Sequence, residues 1–432
     1  MNRTCTLLLL LTACPAEPDP SLLDPQTCVS CHPTHVQQWE GSMHAYASDD
    51  PVFRAMNAQA IQRPDVPGDF CVNCHAPIAV REGLTTDGTN LDEVPQSMKG
   101  VTCAFCHQLK SVDGTHNGDV SWSFTGIFGG GFADPVKNDV HRAAYDPLLA
   151  RDAEESSDAC GACHDVVVPN GLHLEKTYAE WQDSIFREGA SRQGCVHCHL
   201  PGTEGPIATV AGPPVRTLHD HSMPAVDVAL IPWPQRDRQK ELIQDLLDRT
   251  LAAELCVVPV AGGSEVRLTL ENVLAGHDVP SGSSHDRRMW VEVLGRAGGV
   301  DRLTSGVVPE GQALTDTPDP SRVELHDLAY TEQGEISHNI VDAFRLEERA
   351  LSGPPANGQP HAQTFSWSAI GSELDQVDVR VLLRPIGLDV LQRNVQDGGL
   401  DPAVIGEIPT FSLGSAELSW RGPMGSCVGG IR

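Results

Sequence analysis

The chain has few aromatic residues and no long apolar run. Phe, Trp and Tyr make up 5% of its 432 residues, whereas 40 residues are Gly and 32 are Pro. Aromatic side chains contribute heavily to ordinary cores, so this polypeptide offers little bulky material, and we expect another component to supply apolar volume. No segment beyond the N-terminus approaches the ~18–20 apolar residues of a membrane-spanning helix.

Positive charge is also in short supply. The chain has 30 Lys and Arg against 58 Asp and Glu, a formal net charge of −28. Such a surface repels nucleic acid, whose backbone is itself negative. It favours solubility, and it would attract basic partner proteins over long distances.

The N-terminus has the pattern of an export signal. Arg3 supplies a positive charge, and the apolar run Leu7–Leu11 is too short to cross a bilayer. The run ends at Leu-Thr-Ala-Cys14, which resembles the lipobox of bacterial lipoproteins and implies lipidation of Cys14. We therefore predict a signal peptide at 1–13 and a Pro-rich tether at 14–27, with an ordinary secretory signal as the alternative. By the same resemblance, Pro15 after the cysteine favours the periplasm or cell surface, at the outer membrane.

Ten of the fourteen cysteines form five C-x-x-C pairs, and a histidine follows every pair directly. Roughly 0.02 such motifs are expected from this composition by chance. In chain order the motifs are Cys28, Cys31 and His32; Cys71, Cys74 and His75; Cys103, Cys106 and His107; Cys160, Cys163 and His164; Cys195, Cys198 and His199.

The C-x-x-C-H spacing is the attachment signature of haem c. Two thiols on one turn can bond the same porphyrin, and the adjacent histidine then lies under the iron as its proximal ligand. Zinc-binding knuckles also use C-x-x-C pairs, and thioredoxin-like proteins use one pair for redox chemistry. Neither alternative requires five copies that all end in histidine, so the sequence predicts five haem c groups.

Each iron also needs a ligand on its distal face. Thirteen of the eighteen histidines lie outside the motifs, whereas methionine is scarce. We therefore expect mostly bis-histidine haems. The distal candidates are His44, His141, one of His219 and His221, and His277, which could reach a haem from the C-terminal half. The remaining histidines are interpreted as surface or hydrogen-bonded residues: His35, His116, His173, His197, His285, His326, His338 and His361.

Two cysteines remain after the motifs, the signal and the lipidated position are assigned. Both Cys256 and Cys427 lie in the C-terminal half. In an oxidising compartment such a pair is expected to form a disulfide.

Residue composition and patterning divide the chain into two halves. Residues 28–234 are rich in Cys, His, Gly and Pro, and we expect a mostly helix-and-loop pentahaem domain there. Apolar residues at helical spacing predict a connecting helix at 235–255. Residues 256–432 contain short β-rich runs separated by turn residues, which predicts a β-sandwich. The runs are 266–270, 289–293, 323–325, 377–383 and 416–420. The fold class is thus α+β, with several domains.

The first half resembles the multihaem cytochromes grouped with cytochrome c-554 and hydroxylamine oxidoreductase. The resemblance covers roughly 28–221 and rests on three segments: C-V-S-C-H at 28–32 with W-x-x-S-x-H at 39–44, G-V-T-C-A-F-C-H at 100–107, and C-G-A-C-H at 160–164 with N-G at 170–171 and E-W at 180–181. It implies haems in close, mostly bis-histidine pairs that relay electrons, with His44 as a distal ligand. The G-H-D-V-P-S-G turn at 276–282 resembles one that follows the haems in some exported relatives.

The functional expectation is electron transfer to and from redox proteins, which the acidic surface would favour if they are basic. The alternative is a reductase or oxidase of a small nitrogen or sulfur compound with one open haem. Related nitrite reductases have one motif that ends in Lys, and all five end in His here. Hydroxylamine oxidoreductase cross-links a tyrosine to its catalytic haem, and none of Tyr46, Tyr145, Tyr178 and Tyr330 matches it. The β-sandwich could instead serve adhesion or partner docking.

Overall fold

The computed structural model describes residues 18–136, 138–210 and 212–431. The predicted signal peptide, Cys14 and the first part of the tether lie outside the described residues. All eighteen histidines and all ten motif cysteines lie within them.

The first half is built from short helices joined by loops. Proline occupies the first turn of several of them, where its fixed φ suits the helix and no amide donor is needed. Within the described residues these helices are α1 (Pro33–Glu40), α2 (Met43–Tyr46), α3 (Pro51–Ala60), α4 (Val72–His75), α5 (Pro77–Arg81), α6 (Cys103–His107), α7 (Ser156–His164), α8 (Thr177–Gln182) and α9 (Cys195–His199).

Small two-stranded ribbons connect these helices. The strands pair β1 with β2, β3 with β4, β5 with β6 and β7 with β8, and only the β3–β4 pair is parallel. Their bounds are β1 (Leu109–Val112), β2 (Val120–Trp122), β3 (Ile127–Gly130), β4 (Arg142–Tyr145), β5 (Asp165–Val167), β6 (His173–Lys176), β7 (Gly202–Pro206) and β8 (Val215–His219). The buried apolar residues of this half form several small clusters rather than one core.

A single longer helix, α10 (Arg236–Thr250), leads into the second half. Its buried face includes Ile243 and Leu247. The prediction of a helix to residue 255 is wrong at its C-terminal end, because Leu251 already begins a strand. From there burial alternates residue by residue, the period of a strand.

The second half contains two larger antiparallel sheets and a two-stranded antiparallel ribbon, in which β13 pairs with β14. One has the strand order β15-β10-β9-β19, and the other has β12-β11-β16-β17 with β18 also paired to β16. The bounds are β9 (Leu251–Val260), β10 (Gly263–Asn272), β11 (Arg288–Ala297), β12 (Val300–Ser305), β13 (Leu328–Tyr330), β14 (Arg345–Glu347), β15 (Gln363–Ile370), β16 (Gln376–Arg384), α11 (Leu388–Gln396), β17 (Phe411–Ser412), β18 (Leu418–Trp420) and β19 (Ser426–Gly429).

The two sheets share one core. Leu268 of β10 and Val291 of β11 are fully buried members of the same apolar cluster, as are Leu255 and Val381. Side chains from both sheets therefore meet face to face, as in a sandwich, and the α+β class is confirmed. The predicted strand at 323–325 is wrong, because Glu324 forms only an isolated bridge with Trp290.

Cys256 and Cys427 are joined in a disulfide. They face each other across the β9–β19 pair, with Cα atoms 4.0 Å apart. The bond ties the last strand of the chain to the first strand of the sandwich.

The halves pack against each other. Val52 and Ala55 of α3 belong to the apolar core of the sandwich. Arg287 makes a salt bridge to Asp227 across the seam, at 2.8 Å. In the part of the chain that the structure describes, no helix has the length and apolar character needed to cross a membrane.

Candidate haem sites

The five motifs fold as single helical turns. Helices α4, α6, α7 and α9 each end at their motif histidine. In the first motif the amide of His32 donates to the carbonyl of Cys28 at 2.8 Å, and in the second the amide of His75 donates to Cys71 at 3.3 Å. Each motif therefore presents two thiols and one imidazole from the same turn, as haem attachment requires.

Backbone carbonyls orient four of the motif imidazoles. The Nδ1 atoms of His32, His75, His107 and His199 lie 2.7–3.1 Å from the carbonyl oxygens of Ile207, Ala47, Gly129 and Pro224 respectively. A carbonyl can only accept, so Nδ1 is the donor and carries the proton. This tautomer leaves the Nε2 lone pair free to bind iron.

Four motif histidines face a second histidine at the spacing that an iron between them needs. A metal–imidazole bond of about 2 Å, with the ring centre about 1 Å beyond the nitrogen, places two ligands of one iron about 6 Å apart. The ring centroids of the four pairs are 6.1 Å apart for His44 and His164, 6.3 Å for His107 and His221, 6.3 Å for His199 and His277, and 6.5 Å for His32 and His141.

The second member of each pair is also oriented through its Nδ1 atom. Its partner is a backbone carbonyl for His141, His221 and His277, at 2.8–3.2 Å. For His44 the partner is the Sδ atom of Met223, at 3.0 Å. Nε2 is therefore the coordinating nitrogen available on both sides of three of these pairs, and on His44 in the pair with His164.

Burial favours the neutral, ligating form of several of these imidazoles, because it lowers their pKa. It lowers the pKa of His44 and of His75 to about 4 and that of His221 to about 3. The pKa values of His164 and His277 are also lowered, again chiefly by burial.

The structure separates the candidates that the sequence left open. It places His221 opposite His107, whereas His219 donates from Nδ1 to the carbonyl of Leu200 at 3.1 Å. The structure also places His35, which was not predicted to be a ligand, close to the candidate ligands. Its ring centroid lies 4.9 Å from that of His221 and 5.9 Å from that of His32, both edge to face. The spacing of three residues from His32 could have suggested this, because such residues share a helix face.

The second motif differs from the other four. All eighteen histidines are described, and none lies across from His75 at the iron-spanning distance. Instead the ring of Phe53, from α3, stacks on His75 with centroids 3.9 Å apart and planes 4° from parallel. The structure thus provides a proximal histidine but no distal one at this motif.

The motifs adjoin one another through their thiols. The neighbouring thiol of another motif, followed by burial, raises the pKa of Cys103 beside Cys28, of Cys74 beside Cys163, and of Cys160 beside Cys195. The first motif thus adjoins the third, and the fourth adjoins both the second and the fifth. Cys106 of the third motif lies within electrostatic range of Cys163 and of Cys160. The fourth motif is therefore at the centre of the set.

The remaining histidines lie outside these pairs. His173 contacts Asp165 at 3.1 Å, and His361 contacts the carbonyl of Asn272 at 2.8 Å. His285 and His326 are buried in the second half, and both ring nitrogens of His285 lack a hydrogen-bond partner.

Paired thiols and an adjacent imidazole on the same turn define the attachment site of a c-type haem. Five such turns in one chain define a multihaem c-type cytochrome.

Comparisons with known proteins agree with this class. Residues 27–108 match the family described as cytochrome c554 and c-prime, a segment that includes the first three motifs. The structure is similar to a penta-heme cytochrome c552 from Thermochromatium tepidum, with 20% identity, a TM-score of 0.63, and coverage of 92% of this chain and 98% of that one. No curated protein matches the chain.

These findings support the assignment to the multihaem cytochromes c and support haem c, in five copies, as the cofactor. The cytochrome c match also favours a location outside the cytoplasm. The structural likeness extends over the sandwich half, so that half belongs to the shared fold.

Proposed function

We propose that the chain is an exported electron-transfer protein in which five haems form a branched relay. The observation that carries this proposal is the set of four histidine pairs, each at the spacing of two ligands on one iron. Six-coordinate haems cycle between ferric and ferrous forms without binding substrate, which suits relay.

The proximity of thiols from different motifs supports a route through the relay. Electrons would pass from the haem of the first motif to that of the third and then to that of the fourth. From the fourth, one branch leads to the second motif and another to the fifth. The hydrogen bonds from the histidine Nδ1 atoms to backbone carbonyls would fix the orientation of the ligands and help to set the reduction potentials of the haems.

Location and partners follow from the sequence. We propose that lipidated Cys14 tethers the protein at the periplasmic or outer face of a membrane. There its acidic surface would bind basic redox proteins. The net charge of −28 supports the choice of partner, because opposite charges speed encounter.

The experiment is stopped-flow oxidation of the fully reduced protein by a small basic cytochrome c at several ionic strengths. We expect oxidation of all five haems, with a second-order rate that falls as salt rises. Absence of electron exchange would contradict the relay. A rate independent of salt would contradict the charge-based choice of partner. The matched control is a small acidic cytochrome c, which should react more slowly at low salt.

A second function is favoured by the second motif. His75 has no histidine opposite it, so its haem would have an open distal position where a small nitrogen or sulfur compound could bind. The protein would then reduce that compound with electrons delivered through the fourth haem, or oxidise it and pass the released electrons to the fourth haem. Steady-state assays with nitrite and hydroxylamine test this function, and no turnover would leave the relay alone as the function.

A further inference from the structure

One half-buried cation lies where three of the motifs meet. Arg81 ends helix α5, and its Nη1 atom donates to Asn73 Oδ1 at 2.9 Å and to the Pro77 carbonyl at 3.1 Å. Its Nη2 atom donates to the carbonyls of Gly118 at 3.3 Å and Val120 at 3.5 Å. All four acceptors are neutral. Among the described residues no carboxylate lies within salt-bridge distance of Arg81, so no contacting anion offsets its charge.

The partners of Arg81 tie it to the second and third motifs. Asn73 lies between the two cysteines of the second motif. Phe105 lies between those of the third, and the guanidinium carbon is 5.3 Å from the centre of its ring. Gly118 packs so closely that an added Cβ would lie 3.2 Å from the Sγ atom of Cys74. The cation is thus held against the side of two motifs that would carry the thioether bonds.

The fourth motif completes the junction. Gly118, whose carbonyl accepts from Arg81, donates its amide hydrogen to the carbonyl of Ala162 at 2.6 Å, directly before Cys163. The thiols of Cys163 and Cys74 both lie within electrostatic range of Arg81. Burial lowers the pKa of Arg81, but arginine stays charged in proteins. A full positive charge is therefore fixed beside the two thiols that belong to the second and fourth motifs.

We propose that the positive charge of Arg81 raises the reduction potentials of the haems at the second and fourth motifs and thereby directs electrons to these two haems. Reduction of a ferric haem removes one positive charge from the site. A fixed cation nearby disfavours the ferric form, and the partly buried setting weakens solvent screening. Electrons entering the relay would therefore accumulate at the fourth haem and at the second haem beside it.

This inference rests on the proposed five-haem relay, and the test separates the two. Pyridine haemochrome analysis and intact mass first establish five haems in each variant and in the wild-type protein. A count below five in the wild-type protein contradicts the relay itself, before the role of Arg81 is addressed.

The test is a redox titration of the whole protein, monitored by electron paramagnetic resonance of the individual haems. Arg81→Gln removes the charge and keeps a donor for Asn73. We expect the reduction equilibrium constants of two haems to fall about tenfold, which corresponds to 59 mV for a one-electron couple. Arg81→Lys keeps the charge, so the reduction potentials of both haems should stay close to their wild-type values.

The matched control is Arg238→Gln. Arg238 has the same charge but is exposed on α10, where it pairs with Glu241. Its loss should leave all five potentials unchanged. Asn73→Asp is an independent second variant, because it puts a carboxylate on Arg81 with little change in shape, and it should lower the same two potentials. Five unchanged potentials in both Arg81→Gln and Asn73→Asp, with five haems attached, would overturn the inference.

Discussion

Phe53 stacks face to face on His75, with ring centroids 3.9 Å apart. This contact separates the second motif from the other four, in which a second histidine faces the motif histidine at 6.1–6.5 Å. Two contacts hold the His75 ring in place: the stacked ring of Phe53 and the hydrogen bond from Nδ1 to the carbonyl of Ala47. The same chain thus combines four motif histidines that each face a second histidine with one that faces none among the described residues.

The choice between His221 and His219 can be tested by substitution. His221→Ala removes the imidazole opposite His107, so one haem in five should change from low-spin to high-spin. His219→Ala is the matched control, two residues away, and should leave every spin state unchanged. Magnetic circular dichroism of the oxidised variants measures this. A second high-spin haem, beyond the one expected at His75, in the His219 variant and not in the His221 variant would reverse the assignment.

The disulfide should stabilise the sandwich half. Replacing both Cys256 and Cys427 with Ser frees a loop of 171 residues. The chain-entropy model then predicts a loss of up to about 5 kcal/mol in the free energy of unfolding. Denaturant unfolding followed by far-ultraviolet circular dichroism measures the change. Dithiothreitol should destabilise the wild-type protein and leave the variant unaffected, and equal stability of the two proteins without reductant would contradict the prediction.

Stability should depend on pH through Asp286. Burial raises the pKa of this carboxyl to about 6, from an unperturbed 3.8, and its Oδ1 atom has no hydrogen-bond partner. The folded state therefore binds the extra proton between about pH 4 and 6, and stability falls as pH rises through that window. Asp286→Asn should remove this loss. It should stabilise the protein by about 1 to 3 kcal/mol above pH 6 and by nearly nothing below pH 4. If Asp286→Asn raised the free energy of unfolding equally above pH 6 and below pH 4, the carboxyl would not titrate in this way.

The lipid anchor is tested at Cys14. Substitution by Ser removes the thiol that would carry the lipid, so the protein should move from the membrane fraction to the soluble periplasmic or external fraction. Fractionation with intact mass of the mature N-terminus measures this. Unchanged membrane association of the variant would contradict the anchor.

The sequence predicted the local features and left the long-range ones open. The five motifs are readable because their thiols and histidine share one turn, and the alternation of apolar residues from Val266 to Leu270 predicted a strand that exists. The disulfide pair could be proposed because only two cysteines remained. The helix end at Thr250 was misplaced, because Leu251 to Leu255 suit either a helix or a strand until the sheet is known.

The pairing of histidines could not be derived from local pattern. His44 faces His164, and His277 faces His199, across large separations that only the tertiary fold brings together. The role of Phe53 was missed for the same reason, because nothing around it in the sequence marks it as a neighbour of His75. Arg81 was equally hidden, since its importance comes from three motifs that meet in space.

The spin state and ligand binding of the five haems test the account most directly. We predict four low-spin haems and one high-spin haem in the oxidised protein by magnetic circular dichroism. The reduced protein should bind one carbon monoxide per chain, since among the described residues His75 alone of the motif histidines has no second histidine opposite it. Five low-spin haems and no carbon monoxide binding would contradict the open site and leave a closed relay. Two or more carbon monoxide molecules per chain would contradict the four histidine pairs.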